Sequence, residues 1–97
     1  MTRDKAIGII QAHRAELAAM GVRTLALFGS VARNEAHDGS DVDLLVEFDG
    51  RPIGLFAFID VKDFLERILG ERVDLVMRDA VKPLLRERIF GEAVPAA

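Results

Sequence analysis

Gly29-Ser30 and Asp41-Val42-Asp43, separated by ten residues, are the parts of this chain whose residue types and spacing suit chemistry. A glycine lets the backbone turn sharply and leaves no side chain in the path of a bulky anion. Ser30 then stands where an N-cap would be, ahead of a helix starting at Val31-Ala32-Arg33, with free amides pointing outward. Asp41 and Asp43 are two apart in a strand, so their side chains leave by the same face. Gly-Ser alone is common in loops, and Asp-X-Asp alone commonly marks a solvated strand end. Together, in a strand, turn, helix, polar loop and strand, they describe a site for a metal-bound nucleotide.

The elements that must position these residues follow from periodicity and breakers. Thr2 to Met20 reads as one helix, capped by Thr2 and ended by Gly21, with Ala6, Ile7, Ile10, Leu17 and Met20 on one face. A strand over Thr24–Phe28 leads into the turn, and Asp41–Phe48 is a second strand. Asp49 to Gly54 is a loop, Leu55 to Leu69 a helix stopped by Gly70, Arg72 to Met77 a third strand. Lys82 to about Gly91 is a last helix with Pro83 in its first turn. This alternation predicts a two-layer α/β (α+β) domain over 1–97, with a small mixed sheet and helices on one face. Val42, Leu44, Val46 and Phe48 should lie under the helices, with Val73, Leu75 and Met77 beside them. The opposite face carries Asp41, Asp43, Leu45 and Glu47, with Arg72, Asp74 and Val76 on the neighbouring strand. Asp74 therefore shares the face of the Asp41–Asp43 pair. A structural charge on an edge strand is the less favoured alternative for this aspartate.

Leu27-Phe28-Gly29-Ser30-Val31-Ala32-Arg33, followed by Ser40-Asp41-Val42-Asp43-Leu44-Leu45-Val46, resembles the minimal nucleotidyltransferases of the DNA polymerase β-like superfamily. The resemblance spans nearly the whole chain. One departure is Asn34, where the family often has glycine; asparagine tolerates left-handed backbone angles, so the turn should survive. The resemblance implies a third acidic residue on a later strand, which Asp74 matches. It also implies a role as antitoxin beside a helical HEPN-type ribonuclease toxin, silenced by transfer of AMP from ATP to a tyrosine. No residue here selects adenine or tyrosine.

Three carboxylates within ~5 Å of one another repel by several kcal/mol at an effective dielectric near 20, and persist together when hard cations sit between them. All-oxygen ligands select Mg2+ or Mn2+ over zinc. Two ions about 3.5–4 Å apart suit in-line attack at the α-phosphate of a nucleoside triphosphate, with pyrophosphate leaving. Asp41 and Asp43 are the expected bridging ligands, Asp74 the ligand on the nucleophile side, and Gly29 and Ser30 the cradle of the triphosphate. Arg33, one turn past Ser30, is placed equally well to neutralise a phosphate or to stay solvated. His13 falls at the margin of the first helix's apolar face, as a half-buried core residue would. His37 reads as a loop residue without a role, and Glu47 lies too far along the strand for the metals.

Composition sets the surroundings. Half of the 97 residues are hydrophobic, there is no cysteine, and no run approaches membrane length. A cytoplasmic protein is the simplest expectation. The net charge of −3 argues against sequence-independent binding to long nucleic acid, which needs a basic stripe. With no residues left to grip an acceptor, the acceptor should come from another molecule. A protein partner, a small molecule or an RNA end would each serve, and a module inhibiting by contact alone is a third class. Leu55, Phe56 and Ile59 fall on the charged side of their helix. They form an exposed docking patch if the helix starts at Leu55, or fold inward if Leu55 and Phe56 belong to the loop. Leu45 and Val76, flanking the aspartates, are expected to be partly exposed beneath a helical partner.

Overall fold

The computed structural model describes residues 1–50 and 54–97, so Arg51, Pro52 and Ile53 of the expected loop lie outside the described residues. Four strands form one sheet: β1 (Val22–Phe28), β2 (Val42–Phe48), β3 (Val73–Met77) and β4 (Val94–Pro95). Their order is β3-β2-β1-β4. β1 pairs antiparallel with β2 and with β4, while β2 and β3 run parallel. A parallel pair needs a crossover, and α4 (Leu55–Leu69) supplies it with the bounds expected from the sequence. Gly70 ends that helix at φ +67, in the left-handed conformation that glycine adopts without strain.

The remaining helices are α1 (Arg3–Ala12), α2 (Arg14–Ala19), α3 (Gly29–Ala32) and α5 (Pro83–Glu92). Thr2 caps α1 through its hydroxyl, which accepts from the Lys5 amide at 3.2 Å. The single helix expected over Thr2–Met20 is two, broken at His13, which sits at φ −110 and ψ 18. Packing explains the break. The His13 ring meets Phe64 of α4 edge-on at 5.8 Å, and its Nδ1 donates to the Ile9 carbonyl at 2.9 Å.

The main core lies under α1, α2 and α4. It holds Ile10, Leu17, Val61 and Leu65 against Val42, Leu44, Val46 and Val73, the strand face that alternation assigned to it. The opposite face is not left open. Phe28, Leu45 and Val81 form a second cluster against Ile89 and Phe90 of α5. Leu45 is only 1% exposed, which corrects the expectation that it would be partly uncovered and that all helices would lie on one face. The reason is the C-terminal return: β4 pairs with Ala26 and Leu27 of β1 and so draws α5 across the second face. Val76 remains half-buried, as expected. α4 does begin at Leu55, and Leu55, Phe56 and Ile59 are exposed, so the outward reading of that patch holds.

Candidate active site

β1 delivers the chain into the Gly29 turn at the edge of the second face. Gly29 has φ +72, and a Cβ built there would lie 2.9 Å from Asp43 Cγ and closer still to Oδ2. Only glycine brings the backbone this near to a carboxylate, so the turn and the acidic strand are one unit. The short helix begins at Gly29 with Phe28 before it, two residues earlier than expected, and Ser30 is inside the helix instead of capping it. Asn34 has φ +58, the left-handed angle anticipated for it, and its Oδ1 accepts from the Arg3 amide at 2.9 Å.

β2 and β3 bring the carboxylates together. Asp43 pairs with Asp74 across the parallel register, so the two side chains leave neighbouring strands by one face. Asp43 is half-buried and Asp74 exposed. Burial, then the charges of Asp74 and Asp41, push the Asp43 carboxyl up to about 6, against the pull of Arg33. Asp41 stands one residue ahead of the β2 ladder, exposed, with its Oδ1 3.3 Å from Arg72 Nε.

A cavity of about 340 Å³ opens beside Asp43, lined also by Gly29, Ser30, Arg33 and, from α5, Arg88 and Glu92; Asp41 and Asp74 do not line it. Its phosphate-sized turn, carboxylates and arginines suit a polyphosphate substrate. The nucleotidyltransferase domain family model matches residues 10–95. The chain belongs to this family. It is 41% identical over 95 residues to the protein adenylyltransferase MntA of Thermococcus cleftensis, spanning 97% of this chain and 95% of that protein. A solved structure named provisionally as a minimal nucleotidyltransferase superposes with a TM-score of 0.83 at 38% identity, covering 98% of this chain and 96% of that one. A tri-AMPylated Shewanella oneidensis HEPN toxin in complex with its MNT antitoxin is similar in fold alone. There the TM-score is 0.59 at 17% identity, over 91% of this chain and 71% of that chain.

As a nucleotidyltransferase this chain is an enzyme, and its donor set can be tested against the divalent ion such chemistry uses. Asp41, Asp43 and Asp74 offer only hard oxygen donors, and after burial the charges of Asp74 and Asp41 are what raise the Asp43 carboxyl. They fit a hard cation in kind. The coordination is not preformed, because no three acidic or imidazole groups among the described residues converge closely enough to hold an ion. Asp41 is instead engaged by the exposed ion pair with Arg72.

The structure also settles the outlying candidates. Glu47 lies opposite Thr24, whose hydroxyl donates to it at 3.2 Å, away from the Gly29 turn. His13 is the half-buried packing residue described above, and His37 is exposed, donating from Nδ1 to the Asp38 carbonyl. Arg33 lines the cavity and is ion-paired to Glu35 at 2.9 Å and Glu92 at 3.0 Å. The α5 contribution was missed in the sequence. Leu85, Arg88, Ile89 and Glu92 line the cavity at helical spacing i, i+3, i+4, i+7, and that stripe was the available signal.

Proposed function

We propose that this nucleotidyltransferase moves AMP from ATP to a hydroxyl, a tyrosine Oη, of a helical HEPN-type toxin, and so acts as its antitoxin in the cytoplasm. The single observation that carries the reading is the contact of the Gly29 turn with Asp43, in register with Asp74. It sets a phosphate cradle against the carboxylates of the reaction centre. The adenylyltransferase designation of the relative from Thermococcus cleftensis supports adenylyl transfer. The fold shared with the MNT antitoxin of an AMPylated HEPN toxin supports the choice of acceptor.

In this mechanism the Gly29 amide and the Ser30 hydroxyl hold the triphosphate tail, and Arg33 neutralises it. Asp41, Asp43 and Asp74 would hold two Mg2+ ions, or Mn2+, which when bound supply charge neutralisation at the α-phosphate. Asp74, on the exposed side of the pair, takes the proton of the attacking hydroxyl. The oxygen bonds to the α-phosphorus as the bond to the β-phosphate oxygen breaks, and pyrophosphate leaves in line. Rate comes largely from the partner's positioning of its hydroxyl, so 1–97, acting as one catalytic domain, turns over ATP poorly by itself.

Incubation with ATP, Mg2+ and the helical product of the neighbouring gene, followed by mass spectrometry, tests this. The partner should gain the mass of one or more adenylyl groups on tyrosine, and an Asp41→Asn, Asp43→Asn double variant should add none. An unlabelled partner bound tightly by that double variant would show inhibition by contact alone.

A further inference from the structure

Glu92, the last residue of α5, reaches back to the turn that the nucleotide reading assigns to phosphate. Its Oε1 accepts from the Gly29 amide at 3.1 Å, and its Oε2 accepts from Arg33 Nη1 at 3.0 Å. One carboxylate thus takes both a backbone donor and a guanidinium that a phosphate would use. We propose that Glu92 is the resident anion of this cradle, which a polyphosphate must displace to place a phosphate there, so that Glu92 weakens the binding of phosphate chains and spares ligands that leave the turn unoccupied.

Three observations bear on this. First, the donors are satisfied before any ligand arrives, so a ligand must replace a carboxylate with its own anionic oxygens, and a polyphosphate carries several of them on one chain. Second, Glu92 and Asp43 line the same cavity. A polyphosphate entering beside an unmoved Glu92 would meet that carboxylate and Asp43 together, which favours exchange over joint occupancy. Third, Arg88 lies one turn earlier on α5, lines the same cavity, and has no hydrogen bond or ion pair among the described residues. It is free to follow the incoming phosphate once Glu92 leaves. A ligand that places no anion on the Gly29 amide leaves the Glu92 contacts in place. Glu92 also stands two residues before β4, which ties release of its side chain to the α5–β4 junction.

The inference rests on the nucleotide reading, and two ligands separate them: ATP with Mg2+, and inorganic tripolyphosphate. Calorimetry on the wild-type chain and Glu92→Gln should show both ligands binding about tenfold more tightly to the variant, a difference near 1.4 kcal/mol, with the affinity for adenosine, which carries no anion, changed less than twofold. Tighter tripolyphosphate binding with no ATP binding by either form would uphold the role of Glu92 and sink the nucleotide reading. Equal or weaker binding of tripolyphosphate by Glu92→Gln would overturn the role of Glu92, while wild-type ATP binding would leave the nucleotide reading standing. Should Glu92→Gln fold poorly, the wild-type chain serves alone. Tripolyphosphate should then shift the amide resonances of Gly29, Glu92 and Ala93 together in 1H–15N spectra, and a Gly29 shift without the other two would overturn the exchange.

Discussion

The backbone of Gly29 lies against the carboxylate of Asp43, with φ +72 at the glycine and no room for a Cβ between them. This contact joins two motifs that lie fourteen positions apart in the chain into one surface. It also makes Gly29 the position least able to accept a side chain.

Gly29→Ala should therefore fail twice. The left-handed angle costs an alanine roughly 1–2 kcal/mol, and the new methyl forces Asp43 off its position. A melting temperature lowered by roughly 5–10 °C and ATP affinity lowered at least about tenfold are expected, by thermal denaturation and calorimetry. Wild-type ATP affinity in the variant would show that close backbone approach is not needed.

Asp43 gives the metal-free protein a pH-dependent stability. Its carboxyl titrates at about 6 when folded, against the ordinary 3.8. Between those values the folded chain holds more protons than the unfolded one, so stability falls as pH rises through the window. The penalty is absent near pH 3 and complete above about pH 7. Asp43→Asn should remove it, stabilising the chelated protein at pH 7.5 by on the order of 1 kcal/mol after allowance for solvent screening. Urea titrations at pH 4 and pH 7.5 check this. A gain of equal size at both would assign the effect to packing.

Asp41 and Asp74 are exposed, so their loss should cost function and leave the fold intact. Asp41→Asn gives up one surface ion pair with Arg72, worth less than about 1 kcal/mol. Both Asp41→Asn and Asp74→Asn should melt within about 3 °C of wild type while adenylyl transfer falls at least a hundredfold. Chelation of divalent cations should weaken ATP binding to the wild-type chain in the same direction. Strongly lowered melting with transfer retained would mark these carboxylates as structural.

Leu45 tests the second face. It is 1% exposed and packs with Phe28 and Val81 beneath α5, so Leu45→Ala should cost about 2–4 kcal/mol in chemical denaturation. Phe56→Ala, at a side chain 82% exposed, should change stability by less than about 0.5 kcal/mol. Equal losses at both would contradict the packing described here.

Much of the fold was legible because local rules governed it. Thr2 caps, Gly70 terminates, Asn34 turns left-handed, and α4 keeps the expected bounds, since each depends on neighbours within one or two turns of chain. The one helix that became two shows where such rules stop. His13 suits a helix by periodicity, and its contact with Phe64, fifty-one positions away, is what settles its geometry.

By itself the sequence determined which groups are available and how they alternate: a glycine able to turn sharply, and Asp43 and Asp74 on one face of neighbouring strands. Strand period and turn residues are short-range properties, so those features could be read from the chain directly. Tertiary structure alone decided that α5 closes the second face, buries Leu45, and places Arg88 and Glu92 over the Gly29 turn. A two-residue strand, Val94–Pro95, anchors that arrangement, too short to carry a period of its own. Its pairing with β1 exists only once the rest of the sheet has formed, because the backbone groups it binds belong to residues some seventy positions earlier.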